Sequence, residues 1–320
     1  MPETAEQLST LLEQAKKKQW AALEAAWLER VAEPVADAAF FGALAQALIK
    51  FHEEPRLEEM VSLHAAAHID AGRPLDAVRI IRAVLKVKGE LNGLAPALIR
   101  ALEAAYGDRP STAGCLRAAG LTEPASLGKA LGLFELMMMT VEGSVFRHKT
   151  WGLGIVVAQD LAARTATVQF GGTRRQTFNF PGIREFLERI PPSHILAEIT
   201  RNPEGVRERA QRDPVSVVRQ AVENLGRRVK QSDLKSMFVP AVFTPAQWSR
   251  WWTAAKDRLR LDPMMEVGLG AHGEIALRET PRSAADDVLA RLREATTPHA
   301  RQQAVREAIR FAKSGALASG

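Results

Sequence analysis

The residues best suited to binding an anion or a nucleobase lie in one glycine-rich stretch. Its cations are Arg147, Lys149, Arg174 and Arg175. Such side chains pair with phosphates or with the carboxylates of a protein partner. Trp151, directly before a Gly-x-Gly turn, could stack on a base. Two structural interpretations stand beside these: the cations protect the solvated edge of a β-domain, and the indole packs over the mouth of that domain.

A second basic zone follows some fifty residues later. It contains Arg227, Arg228, Lys230 and Lys235, with further cations at Arg250, Lys256, Arg258 and Arg260. Cations suit the end of a helix, which accounts for Arg227 and Arg228. The remainder fits sequence-independent contact with a phosphate backbone or with an acidic protein surface, and the sequence leaves both open.

No arrangement of residues indicates catalysis. His64 and His68 have the i, i+4 spacing that can bind a metal ion, but the glutamate of a zinc-protease helix is absent and the pair suits a packing face. Gly128-Lys129 lacks the earlier glycine and the following Ser or Thr of a phosphate loop. We therefore expect a protein that is not an enzyme, with no cofactor, no metal and no small-molecule substrate.

The candidate residues above lie in a chain with three regions of different predicted secondary structure. Residues 1–140 are predicted to be helical, because apolar residues recur at helical spacing between Pro and Gly breakers. The clearest predicted helices are Ala38–His52, Leu57–Asp70, Pro74–Lys86 and Leu94–Tyr106. Paired helices of this length are typical of a repeat array, and residues 71–77 resemble part of a tetratricopeptide unit. A plain helical bundle is the alternative.

Residues 141–190 change to a strand pattern. Thr165, Thr167 and Gln169 alternate with apolar residues, and glycine turns separate several short β-branched runs. Such runs predict a small SH3-like or Tudor-like β-barrel.

Residues 191–280 form a basic, tryptophan-rich domain that is predicted to be helical. Asp213-Pro214 and Thr244-Pro245 suit helix starts. Trp248, Trp251 and Trp252 share one helical face, which favours a core stripe over an exposed platform. Residues 281–320 are predicted to be a helical tail, at which a longer chain could be truncated. The fold class is thus mainly α, with one small β-domain.

Charge is distributed unevenly over the 320 residues, whose net charge is +6. Residues 1–140 carry 15 basic and 18 acidic groups, whereas residues 191–260 carry 13 and 7. One cysteine, Cys115, excludes an internal disulfide. The polar N-terminus and the short apolar runs predict neither a signal peptide nor a membrane span, so a cytoplasmic protein without a membrane partner is expected.

An ordered set of motifs resembles the long N-terminal extension of some bacterial Gre-family transcription elongation factors. It opens with Phe146-Arg147-His148-Lys149-Thr150-Trp151-Gly152-Leu153-Gly154. Later members are Pro191-Pro192-Ser193-His194, Arg212-Asp213-Pro214-Val215 and Trp248-Ser249-Arg250-Trp251-Trp252. The resemblance implies a helical region, a small barrel and a tryptophan-rich module. Gre factors stimulate transcript cleavage through an acidic pair at the tip of an antiparallel coiled coil. No long heptad hairpin with an acidic tip is recognisable in this sequence, so the resemblance does not imply transcript cleavage.

The resemblance and the regional charge lead to one functional prediction. The chain is expected to be a non-catalytic factor associated with transcription, docking RNA polymerase through the barrel and the basic module, with nucleic acid as a further candidate partner. The alternative is a protein–protein scaffold that uses the helical array and has no role at nucleic acid.

Overall fold

The computed structural model describes residues 2–268 and 273–313. Contacts divide the chain into two compact units. The first comprises the described residues up to Glu142, with Val156–Val168 and Arg175–Glu185. The second comprises Gly143–Ile155, Gln169–Arg174 and the described residues from Phe186 onward.

Helices dominate the first unit, as predicted. They are α1 (Pro2–Lys16), α2 (Trp20–Val31), α3 (Ala38–Ile49), α4 (Glu54–Asp70), α5 (Pro74–Val87), α6 (Ala95–Tyr106), α7 (Thr112–Ala119) and α8 (Leu127–Met139). Proline occupies the first turn of α4, α5 and α6, where its missing N–H has no helical partner to lose. Asp37 caps α3 by accepting hydrogen bonds from the N–H groups of Ala39 and Phe40. The tetratricopeptide-like identity of this array remains a prediction.

The predicted β-domain is an open sheet. Its strands are β1 (Val145–His148), β2 (Gly152–Asp160), β3 (Thr165–Phe170), β4 (Arg174–Asn179) and β5 (Leu187–Ile190), and α9 (Phe180–Phe186) separates the last two. The strand order is β4-β3-β2-β1-β5, and β1 pairs antiparallel with both β2 and β5. The predicted alternation along β3 is confirmed, because Ala166, Val168 and Phe170 are buried.

The expectation of a closed barrel is not met. Closure requires the two edge strands of a sheet to pair, and within the described residues β4 and β5 remain the edges. An SH3-like or Tudor-like identity of the sheet stays a prediction.

The basic domain contains more than the predicted helices. Its elements are α10 (Ile195–Arg201), α11 (Pro203–Arg212), α12 (Pro214–Asn224), β6 (Arg228–Lys230), α13 (Gln231–Phe238), α14 (Pro245–Leu259), β7 (Met265–Val267) and β8 (Glu274–Leu277). The three strands form an antiparallel sheet in the order β6-β8-β7. The prediction of helix alone over this range was wrong, because strands of three or four residues are too short to show an alternating pattern.

A helical pair ends the described chain. It consists of α15 (Ala284–Glu294) and α16 (Pro298–Lys313), in agreement with the predicted helical tail, of which residues 314–320 lie outside the described residues. No helix in the described part of the chain combines the length and apolar character needed to cross a bilayer.

Candidate nucleic-acid interface

Aromatic and basic side chains meet on the five-stranded sheet. The Trp151 ring stacks on His148, with 4.1 Å between the centroids and 14° between the planes. Phe170 approaches the same indole edge-on at 5.4 Å. The Arg174 guanidinium lies over it, 5.0 Å from the centroid. These contacts engage the half-buried Trp151 ring within the protein, as the packing interpretation requires.

His148 holds the turn that presents Trp151. Its Nδ1 atom accepts hydrogen bonds from the backbone N–H groups of Thr150, at 3.1 Å, and Trp151, at 3.2 Å. An accepting Nδ1 places the ring proton of the neutral imidazole on Nε2. The histidine therefore stabilises the turn through its side chain.

The other basic residues of the sheet are spread out. Arg147 forms a 3.6 Å ion pair with Glu188 between two well-exposed side chains, and pairs of this kind contribute little to stability. Lys149 is exposed in the turn after β1. Arg175 is exposed on β4, and its side chain points to the opposite face from that of Arg174, because successive strand residues alternate. Of the predicted residues here, the structure brings Trp151 and Arg174 together.

A helix-turn-helix arrangement organises the basic domain. The chain runs from α12 through β6 to α13 and α14, and then into the β7–β8 hairpin. Residues 239–244 form the turn between α13 and α14. Two helices joined by a short turn form a helix-turn-helix arrangement, and here a strand hairpin follows the second helix.

The aromatic stripe fixes α14 in the domain. Trp248 and Trp252 are buried, and their rings stack with 5.2 Å between centroids and 9° between planes. The indole N–H of Trp251 donates to the carbonyl oxygen of Ala210 at 2.8 Å. The predicted core stripe is confirmed, and it directs the opposite face of α14 to solvent.

Three polar side chains on the exposed side of α14 are used by the helix itself. The Gln247 side chain accepts from the Thr244 N–H as part of a capping box. The hydroxyls of Ser249 and Thr253 donate to carbonyl oxygens one turn earlier, at 3.1 and 2.9 Å. Arg250 is exposed and has no ion-pair partner among the residues that the structure describes.

Residues 196–282 match the family of the GRAD helix-turn-helix domain. About half of the chain is also similar to longer proteins. It is 26% identical over 159 residues to the transcription elongation factor GreA of Chlamydia trachomatis serovar D, covering 49% of this chain and 22% of that protein. The corresponding match to GreA of Chlamydia pneumoniae is 26% over 147 residues, or 45% and 20%.

The chain thus spans about a fifth of the length of the curated relatives it matches. Comparison with solved structures finds no significant match. The resemblance to Gre-family proteins is confirmed to this extent: a partial similarity to GreA and a helix-turn-helix domain.

The predicted cations of the helix-turn-helix domain differ in availability. The Arg228 guanidinium lies 3.1 Å from Glu274 and 3.8 Å from Glu266, so its charge is compensated across the sheet. Arg227 has left-handed backbone, and its guanidinium donates to the Arg278 carbonyl oxygen at 3.2 Å. These two cations stabilise the β6 end of the domain.

Lys230 and Lys235 are the predicted cations that remain available. Both side chains are exposed, on β6 and α13, and within the described chain neither has an ion-pair partner. Arg250 is available in the same way, although the sequence does not distinguish it from its basic neighbours. The sequence signal that could have indicated its exposure is its position on the helical face opposite the tryptophans.

The cations at the end of α14 and directly after it contact other groups of the domain. The Lys256 ammonium lies 6.0 Å from the Trp252 ring centroid, and burial, with the nearby Arg260, lowers the pKa of this lysine. Arg258 approaches the Arg212 carbonyl oxygen at 3.4 Å. Arg260 lies 3.8 Å from Asp257.

The capping box makes the start of α14 dependent on one side chain. We expect Thr244→Ala to lower the unfolding free energy by about 1 kcal/mol, because the Gln247 N–H loses its 3.3 Å acceptor. Urea denaturation followed by circular dichroism measures the change. Thr253→Ala is the matched control, because the Thr253 hydroxyl donates only to a carbonyl oxygen of the same helix and caps no N–H group. Equal losses in the two variants would contradict a role of Thr244 in capping.

Proposed function

We propose that this chain is a non-catalytic, transcription-associated factor that contacts duplex DNA through its helix-turn-helix domain. The observation that carries the proposal is the geometry of α14. Its tryptophans pack one face of the helix into the core. Arg250 lies on the opposite face and has no ion-pair partner in the described chain. The second helix of a helix-turn-helix pair enters the major groove in known complexes, and we propose that α14 takes that position.

Lys230 and Lys235 supply positioning contacts. Lys230 is exposed on β6, before the helix pair, and Lys235 is exposed on α13, its first helix; lysines reach backbone phosphates as point charges without reading bases. Residues 191–260 carry 13 basic and 7 acidic groups. That excess supports attraction to a polyanion, which strengthens as salt is lowered.

RNA polymerase is the larger partner that we propose. Its support is the partial similarity to two proteins named transcription elongation factor GreA, together with exposed cations of the five-stranded sheet. Lys149 in the turn after β1 and Arg175 on β4 are each exposed, and each suits acidic protein side chains. In this proposal the sheet, with its Tudor-like pattern, docks the polymerase, and the helix-turn-helix domain holds nearby DNA.

Fluorescence anisotropy with a labelled duplex tests the DNA contact. We expect the full chain to bind at low salt, and Arg250→Glu to weaken binding about tenfold or more. Arg100→Glu, which makes the same charge change on an exposed position of α6, leaves the affinity unchanged. Lys235→Glu reduces the slope of log affinity against log salt by about one. Absence of binding at low salt, or equal loss from Arg100→Glu, overturns the proposal.

Retention of purified RNA polymerase on the immobilised full chain tests the other contact. We expect retention at low salt that Lys149→Glu with Arg175→Glu abolishes. A polymerase that is not retained removes this partner while leaving the DNA result standing. Failure of both experiments favours a scaffold that uses the helical array.

A further inference from the structure

The first unit contains a groove that the helix-turn-helix proposal does not use. It has a volume of about 720 Å³ and lies along α5, α8 and α9. Its apolar lining consists of Leu85, Leu131, Leu133, Leu136, Phe180 and Pro181. This size falls within the range of about 300–1,000 Å³ that is usual for binding pockets.

Positive charge surrounds this apolar lining. Arg82 pairs closely with Glu135 and is neutralised. Lys86, Lys129 and Arg184 are exposed, line the groove, and have no ion-pair partner in the part of the chain that the structure describes. Glu90 is the acidic residue that offsets one of them. The groove therefore carries a local excess of cations, although residues 1–140, which supply most of its lining, have 15 basic and 18 acidic groups.

Two glycines of α8 shape the groove. The Gly128 N–H donates to the Gly89 carbonyl oxygen at 2.9 Å, and a Cβ atom on Gly128 would lie 3.1 Å from the Gly89 Cα atom. The close approach of the chain at this end thus requires glycine. At Gly132 a Cβ atom would meet nothing within 4 Å. Because Gly132 lines the groove, a side chain there would project into the open space of the groove.

We propose that this groove binds a short amphipathic helix of a partner protein, with apolar side chains on the leucine lining and carboxylates facing Lys86, Lys129 and Arg184. Helices dock in apolar grooves through residues at i, i+3, i+4 and i+7. Acidic side chains complement the cations and give the docked helix its orientation. A nucleic acid fits less well, because the lining offers no exposed aromatic ring for stacking and the surrounding region is net acidic.

A groove-filling variant tests the apolar contact. The probe is a fluorescein-labelled helical peptide of about 16 residues, with leucine at the four docking positions and glutamate between them. We expect the full chain to bind it and Gly132→Leu to weaken binding about tenfold or more, because the new side chain occupies the groove. Leucine also favours helix over glycine, so unfolding does not explain the loss.

Gly42→Leu is the matched control for the filled groove. Gly42 lies inside α3, and there too a Cβ atom would meet nothing within 4 Å. The substitution adds the same side chain and the same helix propensity away from the groove. Unchanged peptide binding by this variant, with loss in Gly132→Leu, supports the site. Equal behaviour of the two variants overturns it.

Charge reversal tests the electrostatic contact independently. Lys129→Glu places an anion in the first turn of α8, where it suits the helix dipole, and we expect it to weaken binding of the acidic peptide several-fold. Lys50→Glu, at the exposed end of α3, leaves binding unchanged. A peptide with lysine in place of glutamate binds worse than the acidic one. Equal binding of the two peptides, or tighter binding of an oligonucleotide to this groove, overturns the proposal, whatever the result for DNA at α14.

Discussion

Trp248→Ala is expected to lower the unfolding free energy of the helix-turn-helix domain by about 4 kcal/mol, the largest stability effect among the substitutions considered. The side chain is 2% exposed. Its ring stacks on Trp252 at 5.2 Å and lies 5.9 Å from Phe238, with 23° between the planes. Alanine would leave a cavity between α13 and α14 and remove aromatic contacts beyond simple burial.

Hydrogen exchange detected by mass spectrometry localises this effect. Multi-domain proteins generally do not unfold in a single step, and α13 and α14 lie in a different compact unit from α4 and α5. We therefore expect the amides of α13 and α14 to lose protection while those of α4 and α5 keep it. From the proposed DNA contact we also expect Trp248→Ala to lower DNA affinity, because α14 is no longer held. Arg250→Ala is the counterpart on the exposed face: we expect it to reduce DNA affinity and to leave protection unchanged. Protection that survives in Trp248→Ala would show that the aromatic core does not hold α14.

Local signals in the sequence predicted much of this fold. Asp213 was expected to cap a helix, and its carboxylate accepts from the Ser216 N–H at 3.1 Å. Thr244-Pro245 was expected to open another helix, and the capping box is present. These predictions succeed because capping depends on residues three positions apart, and the sequence shows them directly. The same holds for the buried tryptophan face of α14.

Contacts between distant residues could not be predicted. Strands β6 and β8 pair residues nearly fifty positions apart, Val229 with Ile275, and neither strand is long enough to show a pattern. The availability of a cation has the same origin. Arg228 and Lys230 look equivalent in sequence, yet Arg228 faces Glu266 and Glu274 because the sheet brings those glutamates to it. The sequence alone therefore does not show which candidate cations are available to a partner, because the pairing of distant strands decides which of them are compensated.

Acidification is expected to destabilise the first unit through two buried histidines on α4. His64 and His68 are 1% and 0% exposed, and their rings lie 5.2 Å apart. Burial lowers the pKa of His64 from 6.5 to about 4 and lowers the pKa of His68 as well. Arg30 and Arg73 face His64 and disfavour a second positive charge.

The sign of the pH dependence follows from these directions. Between the unfolded pKa of 6.5 and the folded value of about 4, the unfolded chain binds more protons, so stability rises with pH. Above pH 6.5 the protonation of His64 does not lower the free energy of unfolding. As the pH falls from 6.5 to about 4, protonation of His64 lowers the free energy of unfolding by about 3 kcal/mol in total. For His68, Asp76 partly opposes the shift, whereas Arg73 and Arg79 reinforce it.

His64→Phe isolates this contribution. Phenylalanine keeps a ring between Trp27 and Phe41, which lie 5.2 and 5.1 Å from the histidine ring, but it cannot be protonated. It also leaves the Val35 carbonyl oxygen without its 3.2 Å contact, so we expect slightly lower stability at pH 7. Urea denaturation across pH 7 to 4 should show a shallower acid dependence than the unaltered chain. An unchanged dependence would mean that His64 does not titrate with unfolding.

His68→Leu gives the complementary result. Neither ring nitrogen of His68 makes a hydrogen bond in the described structure, although the Val35 carbonyl oxygen is near enough to offset part of the effect of burial. Replacing this buried polar ring with an apolar side chain removes two ring nitrogens that make no hydrogen bond in the described structure. Stability at pH 7 should therefore rise while the acid dependence weakens. His52→Asn is the control, at an exposed left-handed position that asparagine tolerates, and it should change neither the stability at pH 7 nor the acid dependence. A loss of stability in His68→Leu would show that the His68 ring makes a stabilising polar interaction in the folded chain.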